Sequence, residues 1–127
     1  MSAQQVMEEA AVAAVNEVRL VGRVSQEPTG RTLPSGDVIW SFRVVVPRET
    51  DRRGGTSQVD ALDCAVWSGR VRRSVATWRP GDLVEVSGAV RRRFFRSAAG
   101  PASRTEIEVT SGRVLRRAPT PAPARAP

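Results

Sequence analysis

Residues 71–90, VRRSVATWRPGDLVEVSGAV, decide the fold, because the hydrophobic period changes inside them. Val71, Val75 and Trp78 fall at i, i+4 and i+7, with Arg70, Arg72 and Arg73 around them, and this spacing predicts one short amphipathic helix. The turn Arg79-Pro80-Gly81-Asp82 then stops it, since proline lacks the amide a helix needs and clashes with the preceding turn. From Leu83 the period is two. Val84, Val86, Gly88 and Val90 share one face, while Arg91, Arg93 and Phe95 share the other, which predicts a strand from Leu83 to about Phe95.

The same alternation recurs on both sides. Val18, Leu20 and Gly22 alternate with Arg19, Val21 and Arg23 in a first strand. Pro28, Gly30, Pro34 and Gly36 make residues 26–37 a turn-rich connection. Val38 to Val46 is a β-branched and aromatic run with Trp40, Phe42 and Val44 on its apolar face. Arg48 to Gln58 reads as a charged, glycine-rich hairpin loop. Val59 to Trp67 is a third strand that buries Leu62, Cys64 and Val66 and turns Ala61, Asp63, Ala65 and Trp67 the other way. A small-residue loop is expected at Ser97 to Ser103, and Thr105 to Leu115 supplies the last strand. Three strands, one helix and two strands are the layout of an all-β, five-stranded OB barrel with its helix between strands 3 and 4. The barrel domain is expected over residues 16–117. Residues 1–15 read as a flexible or short helical extension, and residues 118–127 as a disordered Pro/Ala tail.

Composition narrows the chemistry. The 127-residue chain carries a formal charge of +7, which favours a polyanionic partner. All 20 basic residues are arginine, whose planar fork binds phosphate and stacks on bases, although codon bias toward arginine contributes to the count. Without histidine there is no Ser-His-Asp or Cys-His pair and no imidazole metal ligand. Cys64 is the only cysteine and reads as a small core residue in a reducing compartment. No catalytic residues, metal site or cofactor are expected. No apolar run is long enough to span a bilayer, and Glu8 and Glu9 stand where a signal peptide needs a basic start. A cytoplasmic protein without membrane contact is the expectation.

The strand face Arg91, Arg93, Phe95 has no structural need for an exposed ring. Cations that track phosphates beside a ring that stacks on an unpaired base suit single-stranded nucleic acid, while charged gatekeepers on an edge strand are the plain alternative. The order of motifs resembles the bacterial single-stranded DNA-binding protein family. Asn16-Glu17-Val18-Arg19-Leu20-Val21-Gly22-Arg23-Val24 followed by Pro28 is similar to its opening block, and Pro34-Ser35-Gly36 before the Phe42-containing strand to its next. Leu62-Asp63-Cys64-Ala65-Val66-Trp67 resembles its third strand, especially the actinobacterial form. Pro80-Gly81-Asp82-Leu83-Val84-Glu85-Val86-Ser87-Gly88 resembles its next turn and strand.

The resemblance implies an OB fold that binds single-stranded DNA without strong sequence preference, in replication, repair or recombination, as a homo-oligomer, usually a tetramer. It implies base stacking at Trp67 and Phe95. Two further aromatic positions of the family fall near Thr50 and at Ala61, where neither residue can stack a base. Phosphate contacts are assigned to Arg91, Arg93 and Arg96, with Arg43 a further candidate and Arg52 and Arg53 in a loop that either folds over DNA or stays solvated. Arg70, Arg72 and Arg73 are read as a solvated helix face, and Trp40 and Trp78 as core. The final stretch, residues 121–127, has none of the acidic residues through which the family docks partners, so recruitment through such a tip is not expected. The competing readings are a primosome-like OB accessory module that mainly binds protein, and an RNA binder.

Overall fold

Alternating valines make strands because a β-branched side chain packs well on a pleated, half-buried surface. The computed structural model describes residues 2–49, 58–67 and 69–119. It contains α1 (Ala3–Ala13), β1 (Val18–Val24), β2 (Thr29–Thr32), β3 (Val38–Pro47), β4 (Val59–Val66), α2 (Gly69–Val75), β5 (Leu83–Ser97) and β6 (Gly100–Arg116). The strands lie in the order β1-β5-β6-β4-β3-β2, and β1 also pairs with β3. That extra pairing, Arg23↔Val45 and Val24↔Val44, closes β1, β3, β4, β5 and β6 into the expected five-stranded barrel. β4 and β6 run parallel at Cys64↔Ile107 and Ala65↔Glu108, whereas the other pairings are antiparallel.

The core is built from the alternate positions. Val24, Phe42, Val44, Cys64, Val66, Val84, Val86, Ile107 and Val109 fill the barrel, and Val71, Val75 and Trp78 close one end from α2 and the turn after it. Trp78 meets Phe42 edge to face, with centroids 5.2 Å apart and planes at 82°. α2 itself ends at Val75, and three-residue bonds such as Trp78 N–H to Val75 O carry the chain from there into the turn. Trp40 is only partly buried and packs against the cluster from its edge.

Two features depart from the sequence reading. The turn-rich connection holds a short strand, β2, whose four residues are all exposed and which pairs only with β3. Three polar residues and a glycine between two prolines show no hydrophobic alternation, so backbone pairing alone defines it. The loop expected at Ser97 to Ser103 is continuous strand instead. β5 and β6 pair from Arg91↔Glu106 out to Ser97↔Gly100, and only Ala98 and Ala99 turn the chain. Small residues there mark a hairpin that has left the core, and the ladder is kept by its own backbone hydrogen bonds.

The turn at residues 79–82 ties four segments together. Gly81 N–H donates to Val24 O at 2.7 Å and Val24 N–H to Asp82 O at 3.0 Å, which stitches the turn to the end of β1. The fully buried Asp82 carboxylate accepts from Arg79 N–H (2.9 Å), Ala118 N–H (2.7 Å) and Arg117 Nη1 (3.0 Å). Burial alone raises its pKa, but these hydrogen bonds and the Arg117 charge outweigh burial and hold it below the usual carboxylate range.

Closure also depends on two glycines. A Cβ on Gly22 collides with the Val45 carbonyl oxygen of β3, and one on Gly88 with the Glu108 carbonyl oxygen beside the register shift between Ser87 and Gly88. Both obstacles are backbone and cannot rotate away. Gly88→Ala is expected to destabilise the fold by about 1–3 kcal/mol, read as a lower urea midpoint at unchanged slope. Asp82 supplies a second expectation. Its folded pKa lies below the unfolded value of about 3.9, so its stabilisation is complete above that value and is lost as pH falls through the folded one. Asp82→Ala is expected to cost about 1–3 kcal/mol at pH 7 and to flatten the acid limb of the stability–pH curve.

Candidate nucleic-acid interface

Register places the predicted site residues. β3, β4, β6 and β5 are consecutive neighbours, and pairing aligns Arg43 with Asp63, Ala65 with Glu108, Arg91 with Glu106, Arg93 with Arg104 and Phe95 with Ala102. Because side chains alternate, these residues lie on one outer face of the barrel, together with Ala61 and Trp67 at the two ends of β4. Trp67, Arg43, Arg91, Arg93 and Phe95 are therefore brought to a single surface. Ala65 shares the outward parity but is fully buried, and Leu62 is only partly buried. A methyl flanked by Ser41 and Glu108 is overtopped by its neighbours, so parity alone overstates its exposure. Arg52, Arg53 and the Thr50 position lie outside the described residues.

The face is not a bare basic patch. Arg43 pairs with Asp63 at 3.0 Å, and Arg91 with Glu108 at 3.2 Å. Arg93 Nε donates to Glu106, and its Nη2 lies 3.8 Å from Glu108. Arg104 approaches the other Glu106 oxygen at 3.5 Å. At the rim, the hydrogen bond from Arg48 holds the Asp60 carboxyl below the usual range. Three of the arginines singled out for phosphate, Arg43, Arg91 and Arg93, already carry a carboxylate. Sequence reasoning missed this, since Glu106 and Glu108 are ordinary polar positions until the β5–β6 register sets them against Arg91 and Arg93.

The hairpin tip is different. A groove there is lined by Arg31, Arg92, Arg93, Arg104, Phe94 and Phe95; Arg93 and Arg104 share Glu106 behind it, and Arg31 and Arg92 stand without a carboxylate among the described residues. Phe95 is 49% exposed and Phe94, on the opposite parity, 77% exposed with the Arg92 guanidinium 5.8 Å from its ring centroid. Among the described residues, Arg31, Arg92 and Arg96 form no ion pair. Arg31 and Arg104 are additions to the predicted set. Arg31 carried no signal, because β2 itself had none, and Arg104 needed the hairpin register that sets it opposite Arg93. Arg72, read as solvated, donates to Val38 O at 3.3 Å and is partly buried beside Trp40.

Cys64 packs in the core, where burial chiefly, with Asp63 and Glu106 nearby, pushes its thiol up to about 12. No helix of the described residues is long and apolar enough to cross a membrane.

Comparison with known proteins agrees with this geometry. Residues 15–115 match the model of the single-strand binding protein family. Relatives include a single-stranded DNA-binding protein of Oceanobacillus iheyensis, 28% identical over 86 residues that cover 68% of this chain and 53% of the relative. Another is single-stranded DNA-binding protein 1 of Lactococcus lactis, 24% identical and covering 68% and 57%. The chain thus spans about half the length of the relatives it matches. Among solved structures, a Plasmodium falciparum SSB complex with ssDNA superposes with a TM-score of 0.68 at 25% identity, over 81% of this chain and 95% of that one.

Native Cys64 is expected to resist alkylation at pH 8, where its thiolate is a negligible fraction, and to react promptly in urea; thiol titration with and without denaturant checks this.

Proposed function

The chain belongs to the single-strand binding protein family, and from that we propose that it binds single-stranded DNA without catalysis and largely without sequence preference. The observation that carries this is the tip groove, in which two phenylalanines stand beside four arginines, of which Arg31 and Arg92 form no ion pair among the described residues while Arg93 and Arg104 share Glu106. Cations there follow the phosphate backbone, and Phe95 takes a base on its open face. Trp67 offers a second platform at the far end of β4. Arg96, Arg92 and Arg31, which hold no carboxylate among the described residues, are the first phosphate ligands, and Arg91, Arg93 and Arg43 follow. Homo-oligomer formation and a role in DNA replication, repair or recombination complete the reading, with the protein acting in the cytoplasm.

A second reading, an accessory OB module that mainly binds protein, draws on Asp63, Glu106 and Glu108. These carboxylates reduce the free positive charge of the barrel face. Fluorescence anisotropy of labelled oligo-dT, its duplex and oligo-U across a salt series separates the two. Preference for oligo-dT supports the first; equal or negligible binding of all three supports the second. Phe95→Ala is expected to weaken oligo-dT binding by about 1–3 kcal/mol with little change in salt slope. Arg96→Ala is expected to lower the slope of log affinity against log salt by about 0.7.

A further inference from the structure

Arg93 makes two kinds of contact at once. Its guanidinium carbon lies over the Trp67 ring, 5.1 Å from the centroid. On its other side Nε donates to Glu106 Oε1, and Nη2 faces Glu108 at 3.8 Å. The partners differ in burial: the Glu106 side chain is 4% exposed and the Arg93 side chain 38%, so the arginine has open space to move into and the glutamate does not. Glu106 is held further by Arg104 and by its place on β6 beside the parallel partner β4. A fixed anion therefore positions a movable cation over an indole.

We propose that Glu106 is a positioning residue that sets the affinity for single-stranded DNA, holding Arg93 over Trp67 so that this ring face opens only when a phosphate draws the guanidinium away. The inference rests on the DNA-binding reading above and deepens it.

A base cannot stack on that face of Trp67 while a guanidinium occupies it. A phosphate can release it, because arginine binds phosphate and carboxylate with the same planar fork. With Glu106 in place the step exchanges one anion for another, so the phosphate gains little. Without it the phosphate meets an uncommitted cation and the base meets an open ring. The tip groove works differently. Of its four arginines, Arg31 and Arg92 have no carboxylate to surrender among the described residues, nor has Arg96 near the end of β5, so DNA engages the hairpin first and the Trp67 platform second. The two stacking positions are thereby unequal: Phe95 is open at rest and Trp67 is covered.

The test compares wild type, Glu106→Gln and Arg93→Ala by oligo-dT anisotropy over a salt series, and by tryptophan emission without DNA. Glutamine keeps the shape of Glu106 and removes its charge. The expected result is roughly tenfold tighter binding by Glu106→Gln, the size of one charge-assisted arginine contact, with a slope steeper by about 0.7 for the phosphate gained. Its DNA-free emission should move toward that of Arg93→Ala, and the shift should vanish in a Trp67→Phe background. Unchanged or weaker binding with unchanged emission overturns the proposal and leaves the DNA-binding reading intact, because wild type still binds. If neither wild type nor Glu106→Gln prefers oligo-dT to duplex, both readings fall. Should Glu106→Gln not fold, Glu108→Gln removes the outer carboxylate of Arg93, which it shares with Arg91; a gain of about threefold that comes with the Trp67-dependent emission shift and is lost in an Arg93→Ala background supports the proposal, and no gain, or a gain that survives Arg93→Ala, overturns it.

Discussion

Everything in this structure depends on β1 serving two neighbours. Along most of its length it pairs with β5, from Val18↔Gly88 to Arg23↔Leu83, and at its end it also pairs with β3. A strand can do this only if it bends sharply enough for its backbone to approach the second partner closely. Gly22 supplies that approach, with no side chain between β1 and the Val45 carbonyl. Closure removes the free sheet edges that a five-stranded open sheet would leave, and it gives the valines of alternate positions a common interior.

The closed barrel is then locked at one end by a buried charge. Asp82 collects three donors from the turn and from residues 117 and 118, so the end of β6 is tied to the start of β5 by one carboxylate. A buried charge is tolerable only when it is this fully paired. Trp78, in the same segment, plugs the core against Phe42. The short α2 is thus less important for its own stability than for delivering Trp78 and the turn to this place.

Exposed rings and arginines are divided between the barrel and an appendage. The barrel face offers a ring and several arginines, but it balances them with Asp63, Glu106 and Glu108. The β5–β6 hairpin runs on past the core, where nothing requires burial, and there Phe94 and Phe95 line a groove with Arg93, Arg104 and two arginines, Arg31 and Arg92, that form no ion pair among the described residues. Carboxylates engage the arginines of the barrel face and leave Arg31, Arg92 and Arg96 near the hairpin tip without an ion pair among the described residues. That asymmetry is a property of pairing register, since one residue of slip would send Glu106 and Glu108 to the opposite face.

Strand alternation, the period change at residues 71–78 and the breaker at Pro80 were all local facts, and they sufficed for the barrel class, the helix position and most of the core. Trp67, Phe95, Arg91, Arg93 and Arg43 were assigned to an outward face by parity alone, and register puts them there together. The rest was non-local. β2 has no hydrophobic pattern and exists only because β3 offers it an edge. Ala65 is buried by the length of its neighbours. The carboxylates opposite Arg91, Arg93 and Arg43, the guanidinium over Trp67 and the Asp82 lock each join segments more than ten residues apart. Period is written in the spacing of a single strand, so the sequence by itself determined which residues point in and which point out. Which charges meet depends on how strands are registered against one another, and only the tertiary structure decided that.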